Sequence, residues 1–245
     1  MNTEHLDEPL SRNLQAIVDE VEETCGFSIE MKQGRLFGAR GGLSHSPTSI
    51  TLYFARYPVN PAVVAHELCH ARRHFIQSAP MMRLKPEREL KIKESAVAAS
   101  EHLDNQLEHL VILEEMEVEF GFIKDSSHVA RDLQECEDGI DDEFTRKCFL
   151  FLNWLLATRH FPEFKARLCA LLKREGLEQN AQLLEASINA AGASKPRMVA
   201  ALVDVLEIPR DEVLLIVRDP KTGSDRGALL DVVIAAEGNE PEEPI

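Results

Sequence analysis

The sequence predicts an α+β protein, mostly helical, with a small β-sheet early in the chain and a small α/β appendage at its end. Three observations carry that expectation. Most apolar residues recur at helical spacing, the stretch from Phe27 to Tyr57 switches to short strand-like runs, and the last 70 or so residues mix two helical runs with two short apolar ones. Residues 1–175 are therefore expected to form the main domain, and residues 176–245 a smaller sensing or docking region with an acidic tail.

Residues 9–24, PLSRNLQAIVDEVEET, place Leu10, Leu14, Ile17, Val18 and Val21 on one helical face, and Gly26 ends the run. FSIEM, RLFGA and SITLYFARY read as strands, separated by a turn at Ala39, Arg40, Gly41 and Gly42. IQSAPMMRLKP contains two prolines and no clean period, which predicts a loop. A helix is expected over residues 87–113, with Val97, Leu103, Leu107, Leu110 and Val111 apolar and Glu101, Asp104 and Glu108 forming an acidic stripe. ECEDGIDDEF is expected to be an exposed connector or helix start, and TRKCFLFLNWLLATRHF a buried core helix ended by Pro162. Helices over FKARLCALLKREG, AQLLEASINAA and PRMVAALVDVL follow, then VLLIVRD and ALLDVVIAA as two strands, and EGNEPEEPI as a disordered tail.

The stretch NPAVVAHELCHARRHF holds the chemistry. His66, Glu67 and His70 stand in HExxH spacing, with Asn60 suited to a helix N-cap and Pro61 to the first turn. Residues four apart lie one above the other on a helix, so both imidazoles reach one ion, and the glutamate beside them can take a proton from water. This is the pattern of a zinc peptidase with Glu67 as the catalytic base. With nine histidines in 245 residues, chance places such a pattern about four times in a hundred chains, so the helical context is what raises its weight.

A catalytic zinc takes three protein ligands, and HExxH supplies two. The acidic stripe of the following helix offers the third, Glu101 first and Glu108 second. HELCH followed by EHLDNQLEHLVILEE resembles the ImmA/IrrE group of bacterial metallopeptidases, whose second motif reads approximately ExxANxFAxxLLMP. The resemblance places Glu101 on the zinc-binding glutamate, Asn105 on the asparagine, Leu107 on the aromatic and Val111 with Ile112 on the paired leucines. It departs at Asp104, Glu108 and Glu114, which stand where alanine, a small residue and proline are usual. Asp104 and Asn105 are then the candidates for orienting the ligands. The resemblance implies a zincin-like metallopeptidase that uses Zn2+ and cleaves a transcriptional repressor of the helix-turn-helix type. It is similar to the short peptidases of CBASS antiphage operons, which implies single-stranded DNA as an activator. Arg72, Arg73, Arg83, Lys85, Arg88, Lys91 and Lys93 form the basic cluster where such contacts are expected.

Composition narrows the alternatives. A net charge of −15 argues against a broad polyanion-binding face, although a local basic groove is compatible with it. No run reaches the roughly 18 apolar residues of a membrane span, and the opening MNTEHLDEPLS is acidic where a signal peptide is basic, so a cytoplasmic protein is expected. The five cysteines, Cys25, Cys69, Cys136, Cys148 and Cys169, are spread without a CxxC pair and are expected to be reduced. Tyr53, Tyr57, His74 and His109 are candidates by type for stabilising an oxyanion. Two rivals remain: a metal-containing ligand- or DNA-binding module without protease activity, and a DNA-dependent protease of the SprT kind.

Overall fold

Helix starts and stops follow local chemistry through much of the chain. The computed structural model describes residues 6–34, 41–46, 48–85, 96–222 and 224–237, with side chains of the third helix described from Glu101 onward. The expected strand RLFGA, the start of the helix over residues 87–113, Arg88, Lys91, Lys93 and the acidic tail lie outside the described residues.

Two compact units emerge, each assembled from separate segments. The first comprises Met1–Ala79, Val111–Lys124 and Val217–Arg226. Its helix α1 (Arg12–Cys25) starts where the Ser11 hydroxyl accepts from the Leu14 N–H, and stops at Gly26, whose φ of 79° is left-handed. Strands β1 (Ile29–Gln33), β2 (Gly41–Ser46) and β3 (Ser49–Phe54) form a sheet in the order β1-β3-β2, with β1 parallel and β2 antiparallel to β3. Gly41 and Gly42, expected in a turn, instead open strand β2, which lies at the sheet edge. Helix α2 (Pro61–Ala71) is capped by the Asn60 side chain, which accepts the Ala62 N–H at 2.8 Å, and runs on into a π turn at Arg72–Ile76. Leu14, Val18 and Val21 of α1, Ile50, Leu52 and Phe54 of β3, and Val64 and Leu68 of α2 share one core.

The second unit comprises Pro80–Leu110, Asp125–Ile216 and Gly227–Ile245. Residues 81–84 correct the loop expectation: Met81–Leu84 is a strand, β4, paired antiparallel with β5 (Val213–Arg218). Met82 and Leu84 are buried while Met81 and Arg83 are not, a two-residue period too short to stand out beside the prolines. Helix α3 (Ala96–Phe120) runs well past the expected end and contributes to both units. Helix α4 (Ser127–Asp138) ends at Gly139, and α5 (Glu143–Arg159) starts where Asp142 accepts the Thr145 N–H at 2.7 Å, so the acidic run is a stop and a start. Phe151, Trp154 and Leu155 make α5 the expected core helix, and the Trp154 indole N–H donates to Glu185 at 2.9 Å. Helices α6 (Lys165–Arg174), α7 (Glu178–Ala191) and α8 (Lys195–Val205) follow as expected.

The last expected strand is overturned in part. Asp225–Leu229 is strand β6, next to β5, but Leu230–Glu237 is helix α9. A short apolar run fits either state, and here Asp231 in the first turn favours the helix. The α+β class therefore holds, with two three-stranded sheets and predominantly helical structure among the described residues. No described helix is long and apolar enough to cross a membrane.

Candidate metal centre

Helix α2 turns a sequence interval into a row of imidazoles. Val64 and Leu68 pack into the core, which fixes the rotation of the helix. His66 and His70 stand one turn apart with ring centroids at 5.0 Å, and His74 continues the row from the π turn, its ring 6.4 Å from that of His70 and inclined by only 13°. Within each of these two pairs the ring nitrogens come within 4.8 Å, close enough to share one ion. His74 Nδ1 also lies 3.4 Å from the Ala79 carbonyl. A recurrence of histidine every fourth residue was visible in the sequence, yet only its first two members read as ligands.

Glu67 is only 5% exposed, and burial pushes its pKa up to about 8. Space for it comes from the sheet edge. A Cβ on Gly41 would stand 2.6 Å from Glu67 Oε1 and 3.0 Å from both Glu67 Cγ and Val63 Cγ1, so β2 approaches α2 at a position where only glycine fits without displacement. Cys69, on the same turn, is fully buried with Ile112 and Met116, and its thiol is pushed up to about 12 by burial. A neutral thiol packed in this way is a core residue, as its position in the turn suggests.

Helix α3 separates the expected third ligands. The Glu101 side chain is 57% exposed and ion-paired with Arg83 at 3.4 Å. Glu108 is 1% exposed and accepts from the Lys195 ammonium at 2.6 Å. Asp104 accepts from the same ammonium at 2.9 Å and from the Met82 N–H at 2.8 Å. Asn105 is exposed. His109, considered only for an oxyanion role, is buried, with Nδ1 at 3.3 Å from Gln106 Oε1 and its ring 5.7 Å from that of His128. Lys195 had no sequence signal, since it is distant in the chain and lies in no motif.

Of the basic cluster, Arg72 forms two bonds to Glu119, at 2.9 and 3.2 Å, and a further ion pair with Glu115. Arg72 and Arg83 are thus each ion-paired with carboxylates.

Within the first unit the row of His66, His70 and His74 therefore offers imidazole nitrogens that could share a metal ion. The donors suit zinc, which binds imidazole nitrogen and carboxylate oxygen. Comparison with protein-family models, with curated proteins and with solved structures finds no match to this chain.

Proposed function

We propose that the chain is a zinc-dependent endopeptidase. The observation that carries this reading is the placement of Glu67, buried against Gly41 and next in sequence to His66, one of two imidazoles within reach of one ion. A carboxyl group kept out of water carries a desolvation cost, and acids perturbed in this way cluster at functional sites. His66 and His70 would hold the zinc.

A bound zinc supplies Lewis acidity at the scissile carbonyl and lowers the pKa of water. Glu67 would accept the proton of an attacking water at its carboxylate and pass it to the leaving amine. Edge strand β2, which begins at Gly41, offers backbone groups to an extended peptide running past Glu67. The substrate class follows from the sequence resemblance: a helix-turn-helix repressor, cleaved as part of a bacterial stress or antiphage response.

Glu67→Gln tests the assignment. The variant should retain zinc and lose hydrolysis by at least a hundredfold, and retained hydrolysis would end it. The assay pairs the protein with candidate repressors, with and without single-stranded DNA. Zinc bound without hydrolysis of any repressor supports the non-catalytic module instead, and hydrolysis that requires DNA but not a repressor favours the SprT-like reading.

A further inference from the structure

The end of α3, within the first unit, turns apolar side chains toward water. Val118 is 75% exposed and Ile123 93%, two of the four large apolar residues that stand out in solvent among the described residues. The helix stops between them. Gly121 takes a left-handed φ of 69°, and its N–H bonds the Glu117 carbonyl at 3.1 Å while the Phe122 N–H bonds the Met116 carbonyl at 3.0 Å, which folds the chain back over the turn that holds Val118. Met116, Phe120 and Phe122 pack inward with Cys69 and Ile112. Val118 and Ile123 are left on the outer side of the same helix end.

The charges around this apolar pair have a fixed orientation. Glu114 is exposed and, four residues before Val118, shares its helical face. Lys124 Nζ is 2.6 Å from Glu117, and Arg72 is 2.9 Å from Glu119. In both pairs the basic side chain is largely buried and the carboxylate is the member open to water. The rim is therefore negative where a partner would meet it. A second copy of the chain would bring the same carboxylates, and a nucleic acid would bring phosphates, so like charge opposes both. A protein segment with basic residues around an apolar anchor is complementary on both counts.

We propose that the end of α3, with Val118 and Ile123 as its anchor and Glu114, Glu117 and Glu119 as its rim, is a docking face for the basic domain of the substrate repressor. This rests on the endopeptidase reading above: a repressor neutralises DNA phosphates with lysine and arginine, which supplies the charge this face lacks. The contact holds the substrate by a surface that takes no part in the chemistry.

The test uses the whole protein and a fluorescent helical peptide of leucine and lysine, with a leucine–glutamate peptide as control, read by anisotropy at physiological ionic strength. The basic peptide should bind and the acidic one should not; equal binding of the two overturns the proposal. Val118→Ser combined with Ile123→Ser should weaken binding about tenfold or more, and Glu114→Gln combined with Glu117→Gln about fivefold. Leu183→Ser, at an exposed apolar residue of the second unit, should stay within about twofold. An equal loss from Leu183→Ser puts the binding elsewhere and overturns the proposal, as does a dimer in sedimentation velocity that Val118→Ser dissolves. Peptide capture requires neither zinc nor hydrolysis, so the two readings fail separately. Capture without cleavage of any repressor refutes the peptidase, and repressor cleavage untouched by the Val118 and Ile123 substitutions refutes the docking face.

Discussion

Replacing Gly41 with alanine would probe the contact between β2 and Glu67 with a single methyl group. The added Cβ would stand 2.6 Å from Glu67 Oε1 and 3.0 Å from Glu67 Cγ and Val63 Cγ1. Carbon contacts settle at about 3.5–4 Å, so Glu67 must retreat by roughly half an ångström to one ångström. Overpacking of this kind costs about 1–3 kcal/mol, which for a chain of this length lowers Tm by about 2–4 °C per kcal/mol. If Glu67 is the base of the proposed reaction, its displacement by about one ångström should lower the rate about a hundredfold. Zinc affinity should change by less than about threefold, because His66 and His70 are set by α2 and not by the strand. Thermal unfolding measures the first effect, chelator competition the third, and hydrolysis of a quenched-fluorescent peptide library the second. Shortening Glu67 to alanine should cancel most of the stability loss, since it removes the atoms the methyl meets. Full activity and an unchanged Tm in Gly41→Ala would refute the steric argument.

Two further expectations follow from other residues. Glu101→Gln should leave zinc affinity within about twofold and cost less than about 1 kcal/mol, because its partner Arg83 forms only a partly exposed ion pair with it; chelator competition and thermal unfolding check both. His45 has the rings of Phe27 and Phe75 at 6.0 and 4.6 Å, and its Nδ1 accepts from Arg218 at 3.4 Å; burial first, then the Arg218 charge, lowers its pKa. The unfolded chain therefore takes up this proton more readily than the folded one. The stability present above pH of about 6.5 is lost as pH falls below it and levels off beneath the folded pKa. His45→Gln should flatten that slope in urea denaturation followed from about pH 7 to 5, and an unaltered slope would show that another group causes it.

The α+β class and the helix bearing the histidines were legible because their signals are local. Asn60 and Pro61 start α2, Gly26 stops α1, and the apolar period of α5 is unbroken. What escaped the sequence depends on partners far along the chain. Strand β4 exists because β5 pairs with it, and Met82 and Leu84 alone form too short an alternation to announce that. The run after Leu229 is helical although its composition fits a strand equally well. Glu101 and Glu108 differ little as letters on one helical stripe, and only Arg83 and Lys195 distinguish a surface acid from a buried one. Gly41 was seen as a turn former, whereas its lack of a side chain is what admits Glu67.

The π turn at Arg72–Ile76 keeps His74 in line with His70, so the imidazole row is three members long and its middle member serves either neighbour. An ion held by His70 and His74 would be parked about one helical turn from the pair that flanks Glu67. If the peptidase proposal holds, metal content and activity become separate quantities, because an ion resting on the outer pair of imidazoles would add to the first without adding to the second.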